Sequence, residues 1–307
     1  MFNLNALRAK TNIDFMTFRR FAFVISIGVL LLSVGSVAVQ KMNFGIDFVG
    51  GTLIEIRFDT PPSLADLRGE LGALELGEVA LQEFGDPTDV LIRIEKQPGA
   101  EREQIAAIQK VKDTLGEEGL TYRRTEFVGP QVGDELIQAG ILAIVLSLLG
   151  IMIYVWFRFE WQFGIGALAA LAHDVVAIVG LFSLFRLEFN LASVAAILLI
   201  AGYSINDTVV VYDRVRENMR KFRKLEFTDL VNLSINDMLS RTVLTSLTTL
   251  LALGGLFLFG GQVIRDFTLA MIVGVVVGTY SSIFVAAPLL NFMPGSDLAE
   301  TTTDSRP

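Results

Sequence analysis

The sequence has no cysteine and a single histidine among its 307 residues. The absence of cysteine excludes disulfide bonds, thiolate metal sites and cysteine nucleophiles, and it leaves the redox compartment undetermined. A P-loop, a nucleophile elbow, an HExxH motif and a glycine-rich dinucleotide motif are also missing, so nothing predicts nucleotide hydrolysis. We therefore predict no catalytic site, no metal and no cofactor, and we expect any work to be driven by another source, such as an ion gradient.

Charge is scarce as well. Only 19% of the residues are charged, against roughly a quarter in an ordinary soluble domain. Hydrophobic residues make up 52% of the chain, and the mean hydropathy is +0.55, which is too apolar for a soluble enzyme. Residues 40–135 hold 10 Lys and Arg and 19 Asp and Glu, so the remainder is nearly neutral. The chain offers no general basic surface, and we predict no nucleic-acid partner.

Long apolar runs are what the sequence does contain, and a membrane-spanning helix needs about 20 such residues. The runs predict transmembrane helices at 21–39, 136–157, 163–185, 189–212, 242–264 and 267–293. Basic residues cluster before the first run and in 213–241, which predicts a cytoplasmic N-terminus at 1–20, an uncleaved first span and a cytoplasmic basic loop at 213–241. Residues 40–135 then lie on the periplasmic side, and the tail 294–307 is predicted to be cytoplasmic and disordered.

The polar segment 40–135 has the pattern of a small folded domain. Its predicted strands are Leu53–Phe58, Val79–Phe84, Val90–Glu95 and Tyr122–Val128, and its predicted helices run from Ser63 to about Leu74 and from about Arg102 to Leu115. The order βαββαβ is that of a ferredoxin-like domain. The predicted fold class is thus an α-helical membrane protein with six transmembrane helices and one extracytoplasmic α+β ferredoxin-like domain. We expect this domain to contact another protein.

Titratable residues inside the spans are the most informative, because a lone charge at the bilayer centre costs at least ~2.5–3.5 kcal/mol. The residues are His173, Asp174, Asp207 and Arg241. At a rise of about 1.5 Å per residue, Asp174 lies near the middle of the third span. Asp207 and Arg241 lie at similar depth near the cytoplasmic face.

Hydroxyl-bearing residues sit at helical spacing from two of these charges. They are Tyr203 and Ser204 before Asp207, and Thr245 and Thr248 after Arg241. Glycines in or beside the spans predict close helix packing. They are Gly164, Gly166, Gly254, Gly255, Gly260, Gly261, Gly274 and Gly278.

Two interpretations of the charged residues remain open from chemistry alone. In the first, Asp207 alternates between a protonated state and a pair with Arg241, and protons reach it from outside through His173 and Asp174. In the second, Asp207 and Arg241 form a static pair between two helices, and the hydroxyls only bond the helix backbone. His173 by itself is more typical of a packing or hydrogen-bonding residue.

Several ordered motifs carry a resemblance to a known family. They are FGIDFVGGT at 44–52, FVGPQVG at 127–133, AHD at 172–174, GYSINDTVVVYDRVREN at 202–218 and RT at 241–242. Together they resemble the SecD/SecF family of bacterial protein-export membrane proteins, relatives of the resistance-nodulation-division transporters, and within it the smaller SecF-type component. The resemblance runs from the first span to about residue 293.

This resemblance implies a function. A SecF-type chain pairs with SecD, associates with the SecYEG translocon served by SecA, and uses the proton-motive force to help unfolded preproteins cross the inner membrane. The resemblance also implies that Asp207, within the stretch Asn206-Asp207-Thr208, and Arg241 conduct protons, which favours the proton path. The role that it implies for His173 and Asp174 is less defined. Six spans also fit half of a transporter built from repeated halves, which predicts a second six-span partner.

The implied mechanism moves the outside domain. Protonation of Asp207 would release Arg241, reposition the fourth and fifth helices and swing the domain. The candidates for the hinge of this movement are Gly50, Gly51, Gly129 and Pro130. An equally good explanation of these residues is that they form tight turns without moving. Other functions weighed are a non-conducting translocon scaffold, an intramembrane aspartyl protease using Asp174 and Asp207, and a small-molecule efflux pump.

Overall fold

The computed structural model describes residues 11–77, 79–99, 101–261 and 264–292. In chain order the elements are α1 (Arg19–Gln40), β1 (Asn43–Phe44), α2 (Ile46–Val49), β2 (Gly51–Phe58), α3 (Leu64–Gly72), β3 (Val79–Phe84), β4 (Asp86–Ile94), α4 (Glu101–Leu115), β5 (Leu120–Val128), α5 (Pro130–Arg158), α6 (Trp161–Leu184), β6 (Glu188–Phe189), α7 (Leu191–Lys221), α8 (Phe227–Phe259), α9 (Arg265–Ser281) and α10 (Ala287–Leu289). A π-helical turn, Ser282–Ala286, joins α9 to α10, and a 3-10 turn, Leu290–Phe292, follows α10.

The elements form two compact units. One is a helix bundle, and the other is an α/β unit of residues 43–143 with 188–192. Among the described residues, six helices are long and apolar enough to cross a membrane. These helices and the mixed α/β sheet unit confirm the predicted fold class of six membrane helices with one α+β domain. The predicted tail 294–307 lies outside the described residues.

The α/β unit is built on a four-stranded antiparallel sheet in the order β3-β4-β2-β5. Alternate residues of β2 and β4 are buried beneath α3 and α4 because successive side chains of a strand point to opposite faces. This core contains Ile54, Ile56, Val90, Ile92, Ile94, Leu67, Leu71, Ala107 and Val111. The Oγ of Ser63 accepts a hydrogen bond from the Asp66 N–H at 3.4 Å, which caps α3 as predicted. The order βαββαβ is consistent with a ferredoxin-like domain.

The segment 213–241 differs from the prediction of a basic loop. Helix α7 continues to Lys221 and α8 begins at Phe227, so a short connection separates them. Charged residues stabilise these polar helix ends, because Arg214 donates to Asp237 at 2.6 Å and joins the two helices. Hydropathy detected only the apolar part of each helix.

Two of the glycines proposed as hinges, one just before β2 and one at its first residue, have a conformation that favours glycine. Gly50 has a φ of +71° and Gly51 has a φ of +112°. A Cβ on Gly51 would lie 2.5 Å from the carbonyl oxygen of Ile94. These features explain the pair as a tight turn against the sheet, and the hinge role stays a prediction. Gly129 has open space around it, and Pro130 is the first residue of α5, where proline is favoured.

Close packing accounts for several glycines of the bundle but not for all. A Cβ on Gly166 would meet the Tyr212 hydroxyl, one on Gly274 would meet Ile200, and one on Gly278 would lie 3.0 Å from the Ser204 Cβ. Other glycines predicted to pack closely have nothing within 4 Å of an added Cβ: Gly254, Gly255 and Gly261.

Candidate functional site

The first centre of the candidate site is Asp174, whose side chain on α6 is fully buried. Its Oδ1 lies 2.9 Å from the Nδ1 of His173. Its Oδ2 accepts hydrogen bonds from the hydroxyl of Ser204 on α7 and, at 2.7 Å, from that of Ser281 on α9. Three helices therefore converge on one carboxyl group, and both of its oxygens have partners.

The second centre is Asp207, one helical turn after Ser204 on α7. The Thr242 hydroxyl on α8 donates to Asp207 Oδ1 at 2.9 Å. Asp207 is 7% exposed, and its Oδ2 is buried without a hydrogen-bond partner among the described residues. Asp207 is therefore a half-bonded carboxyl group within a membrane-spanning helix.

Arg241 does not pair with Asp207 in this structure. Its side chain is exposed, and the described residues include no ion pair between the two. Successive side chains on a helix project about 100° apart, and Thr242, not Arg241, is the residue that faces α7. The structure thus differs from the predicted pair, with a hydroxyl as the partner of the carboxyl group.

The predicted supporting residues divide into two groups. Ser204 bonds Asp174, and the Tyr203 hydroxyl donates to Ser246 on α8 at 3.2 Å. The others are exposed: Asn206, Thr245 and Thr248. Thr245 donates to the carbonyl of Arg241 at 3.0 Å, and Thr248 donates to that of Leu244 at 2.9 Å. These two threonines bond the backbone of their own helix, as the second interpretation expected.

Several residues at the site were not predicted from the sequence. Ser246 lies 2.7 Å from the Thr279 hydroxyl, and Thr208 lies 2.8 Å from that of Ser282. With Thr242 and Ser281 they complete a row of hydroxyls at the contacts of α6, α7, α8 and α9. The available signal was the run Thr279-Tyr280-Ser281-Ser282, which is polar within an otherwise apolar span. We call the buried and half-buried set formed by these residues with Tyr203, Ser204, Asp174 and Asp207 the polar seam.

His173 bonds Asp174 and also contacts the ring of Tyr280, a residue that bonds α1. Its ring centroid lies 6.2 Å from that of Tyr280, whose hydroxyl donates to the Ala22 carbonyl at 2.7 Å. His173 is 4% exposed, and its Nε2 is buried without a partner among the described residues. The imidazole therefore orients the Asp174 carboxyl group and retains one ring nitrogen for a further proton donor or acceptor.

The last span changes its helix type beside the seam. The π-helical turn Ser282–Ala286 begins directly after Ser281, and the Tyr212 hydroxyl donates to the Ala286 carbonyl at 3.0 Å. π-helical turns inside α-helices are frequent at functional sites. Here the turn begins at Ser282, which bonds Thr208, and directly follows Ser281, which bonds Asp174.

The geometry separates the roles of the two aspartates. An aspartyl protease needs two carboxyl groups that share a proton. Within the described chain, Asp174 and Asp207 share no hydrogen bond and have different partners. The arrangement instead provides one fully bonded carboxyl group and one with an oxygen available to a proton.

Comparisons with known proteins place these features in a family. The family model described as "Protein export membrane protein SecD/SecF, C-terminal" matches residues 107–295, and "SecD/SecF GG Motif" matches residues 35–62. A protein translocase subunit SecF of Rickettsia rickettsii is 48% identical over 293 residues, which cover 94% of each chain. The SecF subunit of Rickettsia prowazekii is 48% identical over 284 residues, covering 92% of this chain and 91% of its own.

Solved structures of the same family are similar to this chain as well. The crystal structure of SecDF, a translocon-associated membrane protein from Thermus thermophilus, is 38% identical with a TM-score of 0.83 over 92% of this chain. A SecDF structure in a super-membrane-facing form is 36% identical with a TM-score of 0.68 over 96% of this chain. The chain spans only 38% and 40% of these two solved chains. Since one family model matches more than half of the sequence and relatives align along nearly all of it, the chain belongs to the SecD/SecF family of protein export membrane proteins, as a multi-pass membrane protein.

Proposed function

We propose that this chain is the SecF-type subunit of a protein translocase in the bacterial inner membrane. It pairs with a SecD-type chain. The pair uses the proton-motive force to help preproteins leave the SecYEG channel, into which SecA drives them. The observation that carries the proposal is the half-bonded, buried Asp207. A buried charge without a partner is costly, so a proton on Oδ2 relieves that cost and gives this residue two states.

Arg241 supplies the alternative state. It lies next to Thr242, which already contacts Asp207, so a small rotation of α8 exchanges the hydroxyl for the guanidinium. The deprotonated carboxylate favours the cation, and the protonated acid favours the hydroxyl. Proton binding thereby biases the packing of α7 against α8, which is the differential interaction that a conformational change requires.

Exposed polar side chains support a partner within the membrane. Asn206 on α7 and Arg241 and Thr245 on α8 are exposed in this chain, although they lie on spans. Such residues usually face other protein or a water-filled cavity, because lipid solvates them poorly. The solved SecDF chains are more than twice as long as this one. Their additional length fits a SecD-type portion, so the proposed partner that covers this face is a SecD-type chain.

The basic residues in the last turn of α7 and in its connection to α8 support the orientation. Arg220, Lys221, Arg223 and Lys224 cluster there, and such clusters stay on the cytoplasmic side. An orientation with both termini in the cytoplasm and the α/β unit in the periplasm fits this cluster, and in the periplasm the unit acts on the emerging preprotein.

The test is gradient-driven export in proteoliposomes that contain this chain, its SecD-type partner, SecYEG and SecA. Asp207→Asn and Arg241→Met should each abolish the stimulation by an imposed proton gradient and preserve the ATP-driven stage. Asp213→Asn is the matched control, because Asp213 pairs with Arg158 at 2.7 Å outside the polar seam. Normal stimulation in Asp207→Asn would overturn the proton mechanism and favour the scaffold function, and normal stimulation in Arg241→Met would overturn the role given to Arg241.

A further inference from the structure

The FGIDF motif at 44–48 has a structural task that the proton mechanism does not use. Strand β1 pairs in parallel with β6, with Asn43 opposite Glu188 and Phe44 opposite Phe189. The Gly45 N–H continues this pairing by donating to the Phe189 carbonyl at 2.9 Å. The motif therefore binds the segment that directly precedes α7.

Asp47 reaches the start of α7 itself. Its Oδ2 accepts a hydrogen bond at 2.9 Å from the N–H of Leu191, the first residue of that helix. The first N–H groups of a helix have no partner within the helix, and they carry a partial positive charge that a carboxylate complements. A residue 144 positions earlier thus caps the helix that carries Asp207.

Arg93 attaches the same segment to the large sheet. This residue of β4 donates at 3.2 Å to Asn43 Oδ1 and to the Phe44 carbonyl. Its other terminal nitrogen lies 3.2 Å from Glu188 Oε2, and both side chains are about one fifth exposed. One arginine therefore joins β4, β1 and β6.

The packing leaves little freedom at this junction. A Cβ on Gly45 would lie 2.5 Å from Glu188 Oε1 and 3.1 Å from the Asn190 Cβ, so a side chain there would displace Glu188 from its place beside Arg93. The rings of Phe44, Phe48 and Phe189 pack with centroids 5.8–6.1 Å apart. This is a fixed attachment. We name Asp47, Arg93 and Glu188 the α7 clamp.

We infer that the α7 clamp is the connection through which α7 moves the α/β unit. Helix α7 is continuous from Leu191 to Asp207, a length of about 24 Å at 1.5 Å per residue. A rigid helix carries a shift at Asp207 to its capped first turn, and the clamp passes it to the central strand β4. Asp47 is thus a positioning residue for export. This inference rests on the proposed function, and it separates proton movement from the work that the movement performs.

The experiment measures proton conductance and gradient-driven export on the same proteoliposomes, containing the SecD-type partner, SecYEG and SecA. Asp47→Ala should lower the gradient-driven stimulation by about fivefold or more and leave proton conductance unchanged. Asp47→Asn keeps an acceptor for the Leu191 N–H and should retain most of the stimulation. Asp59→Ala is the matched control, because Asp59 is an exposed carboxylate outside the clamp.

A charge exchange tests the second half of the clamp. Arg93→Glu and Glu188→Arg should each lower the stimulation, and the double exchange should restore part of it, since the ion pair is remade with reversed polarity. Hydrogen exchange at the start of α7 in the intact complex should rise in Asp47→Ala, which shows that the cap is lost.

The outcomes are distinguishable. Wild-type stimulation in Asp47→Ala overturns the inference, as does a loss of conductance together with export, since both results deny a coupling role. A wild-type complex without gradient-driven stimulation, or an Asp207→Asn complex that keeps it, overturns the proposed function and the coupling inference with it. The proposed function and the coupling inference are both supported if Asp207→Asn loses conductance and export, while Asp47→Ala loses export and keeps conductance.

Discussion

At the scale of single residues, the most consequential contrast is between two buried carboxyl groups. Asp174 uses both oxygens, and its partners come from its own helix and from two others. Asp207 uses one oxygen. A carboxyl group whose hydrogen bonds are complete holds helices together, whereas one with a free acceptor can change its protonation without losing a neighbour.

Thr242 provides a prediction at this scale. Thr242→Val keeps the shape of the side chain but removes the hydroxyl that donates to Asp207. In the protonated state of Asp207 this is a hydrogen bond between neutral groups, which contributes ~0.5–1.5 kcal/mol, so we expect gradient-driven export to fall about fivefold. The rate of export in proteoliposomes at a fixed proton gradient measures this loss.

Thr268→Val is the control for that change. Its hydroxyl is buried and bonds only the Ile264 carbonyl at 2.7 Å, at the start of α9, so export should stay at the wild-type rate. Equal losses in both variants would contradict the assignment of Thr242 to the seam.

At the scale of elements, the contact between α1 and α6 depends on a glycine. A Cβ on Gly180 of α6 would lie 2.6 Å from the Cα of Ser33 on α1. Gly180→Ala should therefore lower the free energy of unfolding by about 1–3 kcal/mol, because the two backbones must separate. Denaturant titration of the purified protein in detergent measures the change. Gly35→Ala on α1 has nothing within 4 Å of the added Cβ and should not be destabilised.

The sheet of the α/β unit gives a prediction for pH. Arg57 donates two hydrogen bonds of 2.6 Å to Asp89, and this pairing, aided by Arg123, holds the pKa of Asp89 below its ordinary value of 3.8 against the opposing effect of burial. The stabilisation is complete near neutral pH and is lost as the pH falls through the lowered pKa.

Asp89→Asn tests this dependence. At neutral pH, hydrogen exchange in β4 of the intact protein should become about tenfold faster than in the wild type, because the charged hydrogen bonds are lost. The two proteins should converge at acid pH, where Asp89 of the wild type is protonated. Asp59→Asn, at an exposed carboxylate, should leave the exchange rates unchanged at both pH values; a difference between Asp89→Asn and wild type that persists at acid pH would contradict the role of the ion pair.

Element types were predictable from the sequence, but the rotation of the helices was not. Alternating apolar residues gave the strands, and Ser63 gave the start of α3. Apolar spans such as α8 carry little amphipathic signal, so the stripe through Thr245 was preferred over the correct one through Thr242. The two-residue strands β1 and β6 are too short to leave a pattern, and their pairing depends on tertiary contacts.

At the scale of the whole molecule, the exposed polar face around Arg241 predicts where a partner binds. Because the native sequence contains no cysteine, single-cysteine variants need no background substitutions. Thr245→Cys carrying a benzophenone label should crosslink to the SecD-type chain in membranes. Leu31 lies on α1 and is 70% exposed. The same label on Leu31→Cys should crosslink mainly to lipid. Stronger crosslinking to the partner from Leu31 than from Thr245 would place the interface elsewhere.

The cap that Asp47 gives to Leu191 can form only late in the synthesis of the chain. The two residues are 144 positions apart, and translation at about 5–20 residues per second separates their synthesis by roughly 7–30 s. During that interval the α/β unit lacks β6, and two more spans must enter the membrane before Leu191 emerges. The unit is therefore completed late, so a nascent chain that stalls before residue 188 has its sheet strands but not the attachment of the FGIDF motif.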